Sequence, residues 1–284
     1  MRCRVGTLLG FCFLITAPSY ATSHGPVFGF ATPVNSKGEI SFDFGAYSRN
    51  AAFGSQTVLK TMLSYGLTPH VQWSFNAPAV LQSGSLPMSM MAGGEFQSSV
   101  TWRFHHHPNA VGRRFESTAS VGIVVPGPQD KFGMFRTMRS APGITGWAAT
   151  GVASRSHYFW LGAGGMHFAD RSGDQRPNVI SASAVYGYRP RAWRADRHQW
   201  DWRVFGELVG EHSGVVRRGG LPMAGSDANQ IFLGPSVLGI FKYFAISGGV
   251  QLPVYSNVGR LYPRERARLA INVSYFLFSH ARSH

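Results

Sequence analysis

The sequence closes on RLAINVSYFLF, residues 268 to 278, in which Leu269, Ile271, Val273, Tyr275 and Leu277 alternate with Arg268, Ala270, Asn272 and Ser274. Successive strand residues point to opposite faces, so a period of two gives one apolar and one hydrophilic face. The pattern recurs along the chain. Residues 39 to 47 set Ile40, Phe42, Phe44 and Ala46 against Ser41, Asp43 and Gly45, and residues 201 to 211 place Asp201, Arg203, Glu207 and Glu211 on one parity. Similar stretches at 57–65, 71–77, 95–104, 114–125, 143–153, 157–168, 178–189, 229–241, 244–255 and 266–278 bring the expected total to about 12 strands, bounded by turn residues. Two of them, 157–168 and 229–241, are apolar on both parities.

Helical membrane spans are excluded by length. The only long apolar run, Val5 to Ala17 after Arg2 and Arg4, falls short of the roughly 20 residues a bilayer requires and leads into Ser19-Tyr20-Ala21, a small-x-small cleavage pattern. Residues 1–21 therefore read as a secretory signal peptide and 22–284 as a single domain. Cys3 and Cys12 both lie in the segment to be removed, which leaves the mature chain without a disulfide or a cysteine metal site. Any membrane crossing must be made by strands.

Composition agrees with a barrel in lipid: 34 glycines, 13% aromatic residues and only 14% charged residues, against about a quarter charged in soluble domains. Lys and Arg number 27 against 13 Asp and Glu. In an exported chain that excess points to lipid phosphates and anionic solutes rather than nucleic acid. A barrel of about 12 strands is too wide for side chains to fill, so the apolar parity belongs outside, in lipid, and the polar parity inside. The expected class is an all-β, antiparallel transmembrane barrel of the outer membrane with short periplasmic turns and long extracellular loops. Links at 66–70, 155–156 and 242–243 are short and those at 82–94, 126–142, 169–177, 213–228 and 256–265 long, while 105–113 and 190–200 depart from the scheme. Tyr65, Trp73, Trp102, Tyr158, Tyr186, Trp202 and Tyr275 suit interfacial girdles. Ala77-Pro78, Val125-Pro126 and Leu252-Pro253 read as strand ends, because proline cannot donate to a ladder.

Parity assigns the lumen to Asp43, Lys60, Gln72, Arg103, Glu116, Arg203, Glu207, Gln251, Arg268 and Asn272. The loop residues Lys131, Arg136, Arg139, Arg171, Arg176, Arg217 and Arg218 would face outwards, where guanidinium forks suit lipopolysaccharide phosphates. The last strand should close the barrel on the first, and its aromatic-rich end suits recognition by the barrel-assembly machinery. A hydrolase would need serine oriented by histidine, and Glu207, Glu211, His212 and Ser213 are the nearest approach. The run His105-His106-His107 reads as a polar turn, because adjacent strand residues cannot converge on one ion. His24 would chelate copper only as a new amino terminus. No nucleotide loop or zinc spacing occurs, so no cofactor, resident metal or catalytic residue is expected. The function expected is passage or binding of small solutes; the alternatives are a structural or adhesive barrel that binds lipopolysaccharide, and a barrel hydrolase.

The stretches HGPVFGFATPVNSKGE (24–39), SRSHY (154–158), GYRPR (187–191), DWRVFGEL (201–208), FLGPSVLG (232–239) and QLPVYSNVG (251–259) resemble a family of outer-membrane transporter barrels grouped with the barrel component of meta-pathway phenol degradation. The resemblance implies an outer-membrane barrel passing small, aromatic molecules, and assigns no site residue. Cell fractionation should find the protein in the outer membrane, migrating faster on a gel before heating than after; a soluble, heat-insensitive band would reject the barrel.

Overall fold

The structure is a computed structural model that describes residues 25–51, 54–84, 94–126, 141–194 and 199–278. The expected signal peptide, His24, Lys131, Arg136 and Arg139 lie outside the described residues. Twelve strands form one closed antiparallel barrel. They are β1 (Glu39–Ala51), β2 (Gly54–Gly66), β3 (Val71–Gly84), β4 (Glu95–Ala110), β5 (Arg113–Pro126), β6 (Gly143–Ser154), β7 (His157–Phe168), β8 (Val179–Tyr188), β9 (Asp201–Ser213), β12 (Ala228–Phe241), β13 (Phe244–Val258) and β14 (Glu265–Phe278). Within the link between β9 and β12, Arg217–Arg218 (β10) and Leu221–Pro222 (β11) form a small hairpin. Each strand pairs with its sequence neighbour, and the terminal stretch RLAINVSYFLF closes the ring on β1, with Ile40 opposite Leu277 and Asp43 opposite Ser274.

Exposure decides which face is outside. Phe44 and Ile271 are 58% and 54% exposed, whereas Asp43 and Ser274 on the opposite parity are 4% and 1%. Apolar side chains therefore cover the outer wall and polar ones the inner wall, an arrangement stable only with hydrocarbon outside. At the end where the short turns lie, Tyr65, Trp102, Tyr186 and Tyr243 are exposed, and Trp200 stacks on both Trp202 and Phe241. This is an aromatic girdle, placed where ring edges can meet interfacial water. Tyr158 is not part of it. It is buried inside, packed on Trp160 and Phe205, because β7 carries large apolar groups on its inner face as well.

Three further expectations need correction. The segment 105–113 is not a long link: β4 runs on through the three histidines to Ala110, and a turn at Val111-Gly112 returns the chain into β5. A bulge between Arg103 and His105 resets the parity, turning His106 towards Glu116. Pro78 and Pro253 do not end their strands. Each lies two residues beyond the point where pairing on one side stops, at Asn76 with Gln97 and at Gln251 with Arg268, and the strand continues along its other neighbour. The missing N–H thus falls where no partner strand remains. Pro126 does close β5, and the link 189–200 stays long, with a single 3₁₀ turn at Arg191–Trp193.

Ile271 sits midway along β14 on the outer wall, opposite Ala46 and Gly248. Ile271→Arg should destabilise the barrel in denaturant titrations in lipid by about 2–4 kcal/mol, and Tyr255→Arg, near the long-loop end, by about 0–1 kcal/mol.

Candidate functional site

The lumen is occupied by the chain's own amino-terminal segment. Residues 25–36 precede β1, belong to no strand, and are almost fully sequestered: Phe30 is 1% and Thr32 0% exposed. Their partners lie around the inner wall. The Val27, Phe28 and Gly29 amides donate to the two carboxylate oxygens of Glu207 on β9, at 2.8, 2.7 and 2.6 Å. The Phe30 amide donates to Ser183 Oγ on β8 at 2.8 Å, Thr32 Oγ1 donates to Glu116 on β5 at 3.3 Å, and Trp160 Nε1 on β7 donates to Thr32 at 3.0 Å. The Asn35 amide donates to Gln72 on β3, and its side chain to Ser41 on β1. A peptide held by strands from six places on the ring crosses the cavity they enclose.

Glu207 anchors it. Three consecutive backbone N–H groups converge on one carboxylate, with the Ser236 hydroxyl as a fourth donor, so a fully buried acid is solvated by fixed dipoles in place of water. The approach is close. A Cβ on Gly29 would collide with Val185, and one on Gly162 with Phe30, so glycine is required on the segment and on the wall it passes. Phe28 meets Tyr47 edge-on at 6.0 Å and Phe30 packs on Trp147 at 5.9 Å. On β7 the segment meets Trp160 and Gly162, which accounts for apolar residues on the inner parity of that strand.

Towards the long-loop end lies a buried four-charge cluster. Arg268 donates to Glu265 at 2.8 Å through two nitrogens and to Glu211 at 3.2 Å, and Arg49 lies 3.6 Å from Glu265 and 3.8 Å from Glu211. The Arg268 guanidinium covers the Phe232 ring at 3.6 Å. Burial beside these carboxylates pushes the Tyr262 hydroxyl, on the adjoining loop, well above its ordinary range. Two acids and two bases neutralise each other here, so Arg268 is held within a network.

The remaining residues assigned to the lumen fall into separate groups. Asp43, Lys60 and Asn272 line a small cavity of about 60 Å³ beside Val27, where the Asn272 amide donates to Asp43 at 3.2 Å. Gln72 holds Asn35 and also donates to Ser74. Gln251 is fully buried, and its side-chain atoms have no hydrogen-bond partner among the described residues. Arg103 and Glu116 pair at 3.1 Å, and Arg203 reaches Asp201 at 3.2 Å.

Among the basic loop residues, Arg171, Arg217 and Arg218 are exposed. Arg176 is not available to lipopolysaccharide. It is buried, bonded to Glu95 at 2.7 Å, with its guanidinium over Phe168 at 4.4 Å. The hydrolase arrangement does not assemble: His212 is exposed and bonded to Asn229, while Ser213 is buried on the opposite face of the same strand. No group of three or more metal-binding side chains occurs among the described residues.

Sequence reasoning placed Glu207 on the wall but missed what it holds. The available signal was Val27, Phe28 and Phe30, three large apolar residues ahead of the first strand with no strand period to place them on the lipid face.

No protein-family model matches the chain, and no curated protein sequence matches it. Solved structures do. A crystal structure of an outer-membrane channel from Pseudomonas putida F1 superposes with a TM-score of 0.61 at 12% identity, over 87% of this chain and 97% of that one. This chain has the fold of an outer-membrane channel. The NanC porin (TM-score 0.49, 11% identity, 82% of this chain and 98% of that one) and the KdgM porin (0.44, 10%, 83% and 98%) are more distant likenesses.

Replacing Glu207 by Gln removes the charge and leaves one oxygen for three N–H donors. Hydrogen–deuterium exchange at residues 27–29 should then accelerate by roughly tenfold or more, given about 1.5–3 kcal/mol for a hydrogen bond to a charged group, while the strands keep wild-type protection. Unchanged exchange would mean that packing, not Glu207, retains the segment.

Proposed function

We propose that this protein is a non-catalytic outer-membrane channel for small solutes, closed by its own amino-terminal segment in the state described. One observation carries the reading: a strand-free peptide is tethered across a water-compatible lumen by Glu207, at a site that no requirement of barrel closure explains. The ring of twelve strands is closed without it, so the segment adds occlusion rather than a missing strand. The fold shared with the Pseudomonas channel supports the same reading.

Release requires only local changes. The bonds to Glu207, Ser183, Glu116 and Gln72 are made by side chains of the wall, and water can replace each of them once the segment shifts. The motif resemblance points to small aromatic solutes, and the net charge of +14 to anions. With the long loops outward, as outer-membrane topology directs, Arg171, Arg217 and Arg218 face the lipopolysaccharide layer. The Gln175 and Arg217 backbones bridge the β7–β8 loop to the β10–β11 hairpin, which holds these cations in one place and favours lipopolysaccharide contact as a second role. The closing strand β14 supplies the signal for the assembly machinery.

Planar-bilayer recordings test the channel. Deleting residues 25–36 should raise single-channel conductance several-fold over wild type and give reversal potentials of an anion-preferring pore, provided that unheated gel migration shows a folded barrel. A folded deletion variant that conducts no better than wild type would remove the plug, and cation selectivity would reject the anion preference.

A further inference from the structure

A second cavity, of about 430 Å³, opens at the short-turn end of the barrel, between the β4–β5 and β6–β7 turns and the adjoining ends of β8 and β9. Its size falls within the range of small-molecule sites. Its lining is strongly basic. Arg113, Arg114, Arg155, Arg189 and Arg203 all contribute, and among the described residues two carboxylates, Glu116 and Asp201, pair with them. Glu116 Oε1 accepts from Arg114 and Arg103, both at 3.1 Å; Asp201 accepts from Arg189 at 2.6 Å and from Arg203 at 3.2 Å. Arg113 and Arg155 form no ion pair with a described carboxylate.

Five guanidinium groups around one space repel one another, and arginine cannot relieve the repulsion by losing its proton. Arg114, Arg189 and Arg203 are held by their ion pairs, and Arg155 packs closely over the β4–β5 turn. Gly112 adopts a φ of +73°, and a Cβ there would run into the Arg155 side chain, which lies across the neighbouring turn. Tyr158 forms part of the wall, backed by Trp160 at 5.4 Å with nearly parallel rings, and the Arg203 guanidinium stands 5.5 Å from the Tyr158 ring centre. The cavity thus combines excess N–H donors with an aromatic surface.

We propose that this cavity is a binding site for a small oxyanion, a solute bearing a carboxylate or phosphate, with Arg113 and Arg155 supplying donors that no described carboxylate uses. The adjoining pairs show the geometry such an anion meets, since Glu116 and Asp201 each sit between two arginines. The site lies next to the plug: Glu116 offers one oxygen to the arginines and the other to Thr32 of the amino-terminal segment. It rests on the channel reading for its place on a solute's route, but binding itself needs no conduction.

Calorimetry on the full-length protein in detergent at low salt, titrated with benzoate, inorganic phosphate and benzylamine, tests the site. Benzoate or phosphate should bind, more weakly as ionic strength rises, and benzylamine should not. The double variant Arg113→Gln and Arg155→Gln, at two exposed side chains, should lose affinity by roughly tenfold or more with gel migration unchanged. Preference for benzoate assigns a carboxylate whose apolar body meets Tyr158; preference for phosphate assigns a phosphate-bearing solute. Binding of neither anion, equal binding of benzylamine, affinity insensitive to salt, or an unaltered double variant overturns the proposal. Conductance of the same preparations keeps the two ideas apart: a conducting barrel that binds neither anion loses this site and keeps its channel, and a silent barrel that binds one does the reverse.

Discussion

Hydrocarbon offers no hydrogen-bond partner, and every other feature of this molecule follows from that. A strand in lipid must pair on both edges, so the sheet closes on itself through β1 and β14. Closure at twelve strands leaves an interior too wide for side chains alone to fill. Whatever occupies that interior must satisfy a polar wall, and in the state described the occupant is the protein's own leading peptide. The outer wall carries the energetics of residence in lipid, the inner wall carries specificity, and the period of two lets one sequence encode both.

Inside, the polar groups are largely engaged by one another. Glu207 is saturated by the amides of residues 27–29 and by Ser236, and Arg268 by Glu265 and Glu211. The ionic cluster near the long loops is balanced in charge and closely packed, with a ring beneath Arg268. At the opposite mouth the balance fails among the described residues, where five arginines line the cavity and two acids pair with them. Glu116 joins the plug to that basic mouth through its two oxygens. The lumen therefore has an electrostatic direction: neutral and tight at one end, positive and hollow at the other.

Much of this was legible in the alternation. All twelve barrel strands lie where the period of two placed them, and even β7 and β12, apolar on both parities, keep their positions. Their inner apolar groups face neighbours that no periodicity reveals. Trp160 meets Thr32 of the plug, and Leu238 joins a cluster with Phe205, Ala245 and Phe276 from three other strands. The bulge after Arg103 was invisible for the same reason. One extra residue is cheap locally, and only the partner strand β5 shows where the register slips.

What the sequence determined by itself was the wall: strand number, inside-out polarity and the closing role of the last strand, all consequences of side chains two residues apart sharing a face. What only the tertiary structure decided was the occupancy of the lumen and the grouping of its charges. Val27 and Glu207 are 180 residues apart, and Arg268 and Glu211 are 57. Nothing in local spacing couples such residues; they meet because the ring brings β5, β7, β8 and β9 around one space, and the amino-terminal peptide enters it.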